Sequence, residues 1–174
     1  MLKIFGAFFT LIILFSTTAV AQISQPWERL APPGTGFVVM LPGKPEETAA
    51  SKETFTSRLF TLVAKDGTSP RAVYLAGFGE YAPTVKFDPQ AELEANRDNF
   101  IKAIPGMRML DTRRITLDGR LGLEFTGESA QYHVTSRVYV AGNRVFQLAV
   151  MVFKGIDERA NINKYFDSFA FLTD

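Results

Sequence analysis

"SRVYVAGNRVFQLAVMV", Ser136 to Val152, decides the fold. Gly142-Asn143 is a two-residue turn signal between two apolar runs, so the chain reads there as a β-hairpin of Tyr132–Ala141 and Arg144–Phe153. Such a turn sets Val140 opposite Val145, Tyr139 opposite Phe146, Val138 opposite Gln147 and Arg137 opposite Leu148. Paired residues share a side of the sheet, and sides alternate along each strand. One face therefore carries Tyr139, Phe146, Leu148 and Val150, and the other Val138, Val140, Val145 and Met151. An antiparallel sheet with one wet side alternates apolar with polar residues, and this hairpin does not. Both faces need cover. The hairpin predicts an α+β fold, an antiparallel sheet of about six or seven strands with helices on its faces, that is an α/β/α sandwich.

The neighbouring segments fit that plan. Met109–Leu117 and Arg120–Thr126 flank Asp118-Gly119, a second hairpin signal. In the later strand Leu121, Leu123 and Phe125 alternate with Gly122, Glu124 and Thr126, as a half-buried strand does. Asp88 to Ile104 reads as a helix, with Asp88 as N-cap, Pro89 at the first helical position, and Leu93, Arg97, Phe100 and Ile104 on one stripe. Pro105-Gly106 stops it. A last helix, about Asp157 to Ser168, aligns Ile162, Tyr165, Phe166 and Phe169. Three strands precede these elements. Phe37–Leu41 is apolar on both faces and is expected to be covered on both. Thr54–Ala64 follows, then Ala72–Tyr81, where Gly77 and Gly79 suggest a bulge or a close contact. The predicted order is three strands, a helix, four strands and a helix.

The chain of 174 residues opens with a different pattern. Lys3 precedes an apolar run, Ile4 to Phe15, too short to span a bilayer comfortably, and Ala19-Val20-Ala21 is a small-x-small cleavage pattern. Residues 1–21 are read as a signal peptide, leaving Gln22 first. No Arg-Arg pair precedes the run, which points to the general secretory route and a periplasmic or extracellular product without stable membrane insertion. Residues 22–36, rich in Pro and Gly, read as an extended lead-in that Trp27 anchors, and 37–174 as a single α/β domain. The whole chain has 19 Lys and Arg against 18 Asp and Glu; removing Lys3 with the signal leaves the two balanced, with no basic excess to suggest nucleic acid. With no cysteine, stability must come from packing.

The layout "FVVMLPGKPEE", "ITLDGRLGLEFTGE", "SRVYVAGNRVFQLAVMV" and "YFDSFAF", spread from Gly36 to Leu172, resembles exported bacterial proteins of the PsbP-like sandwich group. The resemblance implies an antiparallel sheet flanked by helices. It implies little about activity, because members of this fold include a photosystem lumenal subunit, a nuclear-transport accessory protein and many exported proteins without an assigned role.

Most chemistries find no constellation. "GFVVMLPGKPEE" suggests a phosphate loop, but the first glycine that loop needs falls on Val38, Pro45 replaces its hydroxyl residue, and Pro42 and Pro45 have no amide hydrogen to donate. Thiolate and multi-histidine metal sites are impossible with no Cys and one His. His133 would be the sole histidine base, and nearby Ser129 lacks a nucleophile elbow, so His133 reads as a polar strand residue. Glu124 and Glu128 could form an acid/base pair, yet carboxylates so spaced on a strand are ordinarily solvated positions. Arg108, Arg113, Arg114 and Arg120 form a basic cluster tempered by Asp111 and Asp118. No catalytic, cofactor-binding or metal residue is assigned and no cofactor is expected. The sequence thus predicts a non-enzymatic accessory or protein-binding module with an envelope or extracellular protein as partner. The alternatives are a periplasmic carrier of a small hydrophobic ligand or lipid, and, behind it, a hydrolase using carboxylates.

Overall fold

The computed structural model describes residues 26–172. The expected signal peptide and the start of the lead-in lie outside the described residues. Ten strands and two helices follow one another: β1 (Glu28–Leu30), β2 (Phe37–Leu41), β3 (Glu46–Lys52), β4 (Phe55–Asp66), β5 (Ser69–Tyr81), α1 (Pro89–Ala103), β6 (Arg108–Leu117), β7 (Arg120–Glu128), β8 (Tyr132–Ala141), β9 (Arg144–Phe153), α2 (Arg159–Asp167) and β10 (Ala170–Phe171). Seven strands form one antiparallel sheet in the order β3-β4-β5-β9-β8-β7-β6. Two meanders, β3 to β5 and β6 to β9, therefore meet along β5 and β9, and α1 carries the chain from the centre of the sheet to its far edge.

The β8–β9 hairpin has the register its turn dictates: Val140 faces Val145, Tyr139 faces Phe146, and Arg137 faces Leu148. Its two faces enter two separate cores. On one side Tyr139, Phe146, Leu148 and Val150 pack with Tyr74, with Tyr165 and Phe166 of α2, and with Phe37, Val39 and Leu41 of β2. On the other, Val138, Val140, Val145 and Met151 pack with Leu93 and Phe100 of α1 and with Ile104 at its C-cap. The expected sandwich is present, with sheet predominating and a second small sheet sharing one of the covering layers.

That second sheet, β1-β2-β10, corrects the reading of the early chain. Phe37–Leu41 is not covered on both sides. Phe37, Val39 and Leu41 are buried while Val38 and Met40 are half-exposed, because β2 lies over the large sheet instead of within it. The lead-in supplies β1, and Trp27 anchors it, its ring edge-on to Tyr74 at 6.1 Å with Lys164 4.5 Å from its centroid. Glu46 and Glu47 open β3, an edge strand exposed throughout that the sequence reading did not include. Gly77 and Gly79 interrupt nothing; the irregularities fall at Ala64/Lys65 and Met109/Asp111.

The two helices start in different ways. The Asp88 carboxylate accepts from the amides of Gln90 and Ala91 at 3.0 and 3.2 Å, satisfying donors that the first turn of α1 leaves free. α2 lacks a side-chain cap of that kind. Glu158, at its N-cap, instead accepts from Arg71 Nε of β5 at 2.6 Å and from Asn161 Nδ2 at 2.6 Å. The side chain is 2% exposed, so the ion pair ties the helix start to the sheet through a buried carboxylate.

Gly122 of β7 is fixed by packing. A Cβ there would lie 2.6 Å from Tyr139 Cδ1 and 2.8 Å from the Val138 carbonyl oxygen. Tyr139 cannot readily yield, since its ring stacks on Phe169 at 5.6 Å and 6°. Gly122→Ala is expected to lower the unfolding free energy by about 2 kcal/mol, the scale of overpacking a dense core. Chemical denaturation measures it, and an unchanged midpoint would contradict this packing.

Candidate functional site

On the α2 side of the sheet the outer strands β7 and β6 carry a charged row, while Ile115 and Leu117 of β6 still pack against the core on that face. Cross-strand pairing sets Arg113, Glu124 and Arg137 in one row across β6, β7 and β8. Glu124 accepts from Arg137 Nε at 2.7 Å through one oxygen and from Arg113 Nε at 2.7 Å through the other. The Arg137 guanidinium also lies over the Phe166 ring, 4.7 Å from its centroid, at the border of the apolar core. The row therefore runs from the core outward to Arg113, whose side chain is 62% exposed. A second row places Glu128 among Arg108, Lys154 at 3.7 Å and His133 at 3.8 Å.

These contacts decide what the two candidate carboxylates can do. Burial works to raise the Glu124 carboxyl, but the hydrogen bonds from Arg137 and Arg113 outweigh it and hold the group below its usual range. The Arg108 hydrogen bond chiefly lowers Glu128, with Lys154 and His133 adding to it. A general acid needs a carboxyl that keeps its proton near neutral pH. Both groups are pushed the opposite way, and each serves as the centre of an ion-pair row. Ser129 is held too: its hydroxyl accepts from the amides of Gln131 and Tyr132 at 3.2 and 3.1 Å and shapes the β7–β8 turn. The four arginines separate. Arg108 and Arg113 join the two rows, Arg114 is exposed on β6 without a salt bridge among the described residues, and Arg120 stands at the far end of the sheet. Lys44 is exposed in the turn from β2 to β3, where Gly43 has φ of +138°.

Two carboxylates escaped the sequence reading. Glu158 is one. The other, Glu92 of α1, accepts from the Tyr81 hydroxyl at 2.9 Å, and burial pushes its carboxyl up despite that bond. Neither has a local signal, since Tyr81 and Arg71 reach them only through the packing of helix on sheet. The surface among the described residues also carries clefts. One of about 310 Å³ lies beside the start of α2, lined by His133, Val150, Ile156 and Ile162. Another, of about 500 Å³, lies at the sheet end against β10.

Because its carboxyl is lowered in the folded protein, Glu124 stabilises the fold above the ordinary glutamate value of 4.5 and loses that contribution as pH falls through its folded value. Glu124→Gln should be less stable than the parent at pH 7, with the gap closing below pH 4.5. Thermal unfolding across pH checks this; a gap that stays constant into strong acid would contradict it.

No protein-family model and no curated protein matches the sequence. Among solved structures, the chain is similar to the solution structure of cyanobacterial PsbP (CyanoP) from Synechocystis sp. PCC 6803, at a TM-score of 0.55 and 11% identity, covering 91% of this chain and 98% of that one. A crystal structure from Bacteroides thetaiotaomicron VPI-5482 aligns at a TM-score of 0.37 and 12% identity over 87% of this chain and half of that one, too low a score for a shared fold to be read from it. At such identities the first likeness speaks for architecture and not for activity. The chain has a PsbP-like fold.

Proposed function

We propose that the protein is an exported, non-enzymatic accessory module that binds another envelope or extracellular protein through the open end of its sheet. The observation that carries this reading is the pairing of Glu124 with Arg113 and Arg137. It turns the most plausible acid/base carboxylate into part of a fixed, charged surface beside the exposed edge strand β6. Exposed charged faces are features protein partners use, through complementary charge. The signal-like residues 1–21 support export, and among the described residues no helix is long and apolar enough to cross a membrane. The carrier alternative would need room beneath a helix, where α1 instead presses Leu93 and Phe100 into a core with Phe125, the two rings 5.7 Å apart.

The test is crosslinking in the native envelope followed by affinity capture of the tagged protein, with the same preparation screened on ester, glycoside and phosphate substrates. The account predicts a chain beginning at Gln22, a stoichiometric protein partner and no turnover. Repeated empty captures, or turnover abolished by Glu124→Gln, would contradict it.

A further inference from the structure

The β6–β7 and β8–β9 turns and the end of β5 meet the small sheet around the cleft of about 500 Å³. Phe146 and Phe171 form its floor, their rings edge to face at 5.1 Å. Arg120, Arg144 and Glu80 stand on its walls. The two arginines differ in what they touch. Arg144 Nε donates to Glu80 Oε1 at 3.1 Å, so its charge is matched. Arg120 lies over the Phe171 ring, 4.3 Å from the centroid, and makes no salt bridge among the described residues. Among the described residues the walls therefore carry one positive charge, that of Arg120, without a salt bridge.

The rim is built to stay low on one side. Gly36 has φ of +71°, and a Cβ there would come within 3.3 Å of Arg144 Nη1. Its carbonyl accepts from the Leu172 amide at 2.9 Å, which holds the end of β10 along the cleft and leaves Leu172 39% exposed as an apolar lip. A guanidinium resting on a ring keeps its planar fork of donors for a carboxylate, and the ring beside it offers an apolar seat.

We propose that this cleft docks an acidic segment of the protein partner, with a carboxylate on Arg120 and an adjoining apolar side chain on Phe171 and Leu172. The proposal rests on the protein-binding reading above and locates its contact. Charge complementarity sets the acidic character. The open form favours a peptide over a small ligand: of the lining residues only Phe146 is buried, whereas small-molecule sites enclose most of their ligand.

The experiment is an amide NMR titration of the mature chain with an N-acetylated, C-amidated tetrapeptide of Glu, Phe, Glu and Leu. Saturable shifts are expected at Gly36, Leu121 and Leu172 in the millimolar range. The peptide with Lys in place of Glu should leave them unmoved. Arg120→Glu should weaken binding at least about tenfold, and Arg120→Lys, which keeps the charge but loses the fork, by less. Both variants alter one half-exposed side chain, and their unperturbed spectra elsewhere verify the fold. The proposal is overturned by absence of shifts up to about 10 mM, by equal binding of the Lys peptide, or by wild-type affinity in Arg120→Glu. Free acetate saturating the same shifts at the same concentration would mark a small-anion site and also overturn it. Partner capture by Arg120→Glu at the wild-type level would remove the cleft from the contact while leaving the protein-binding reading intact.

Discussion

Every residue of β9 from Val145 to Val152 is buried, so the strand at the middle of the sheet has no wet side. The rest of the structure follows from that constraint. Burying one large apolar side chain is worth roughly 1.5–3 kcal/mol, and β9 presents such residues to both faces, so neither covering layer is dispensable. α1 closes one face; α2 with the β1-β2-β10 sheet closes the other. The one polar side chain between Val145 and Val152, Gln147, is 1% exposed and donates to the Ser136 hydroxyl at 3.3 Å, which in turn donates to the Leu148 carbonyl. That arrangement gives the buried amide nitrogen a partner inside the sheet.

Two helices and three short strands cannot cover seven strands, and where cover ends the composition changes. At one edge β3 is exposed along its length; at the other β6 is nearly so. Charge and irregularity at these edges guard against unwanted strand pairing: Glu46, Glu47 and Lys52 on β3, and on β6 a break in register near Met109 with Arg113 and Arg114 beyond it. The ion-pair rows centred on Glu124 and Glu128 occupy the transition from core to solvent. Surface ion pairs contribute little stability individually, yet they fix the orientation of charge on a face that stays accessible. Fold and proposed function thus share one origin, a sheet wider than its cover.

The parts of this fold that could be read in the sequence were those set by local chemistry. Gly142-Asn143 and Asp118-Gly119 fix turn length, and turn length fixes register near the turn, so both hairpins were legible and the first of these to the residue pair. Asp88-Pro89 announces α1 because cap and first turn are local events. β3 was missed because an edge strand exposed on both faces has no apolar alternation to reveal it: EETAASK reads as loop. β1 and β10 are too short to carry a period and exist only through pairing with β2. The candidate site was legible only in its parts. Glu124 and its arginines were visible as charges, but which arginine meets which carboxylate depends on strand register. Arg120 on Phe171, and Arg71 on Glu158, join residues far apart in the chain and left no local trace.

Amide hydrogen exchange, resolved by strand under native conditions, tests most directly whether double-sided burial of the sheet centre governs the structure. Amides in the middle of β5, β9 and β8 should exchange slowest, through global unfolding alone, while β3 and β6 open locally and exchange much faster. Equal protection across all seven strands, or slowest exchange in β6, would contradict the account.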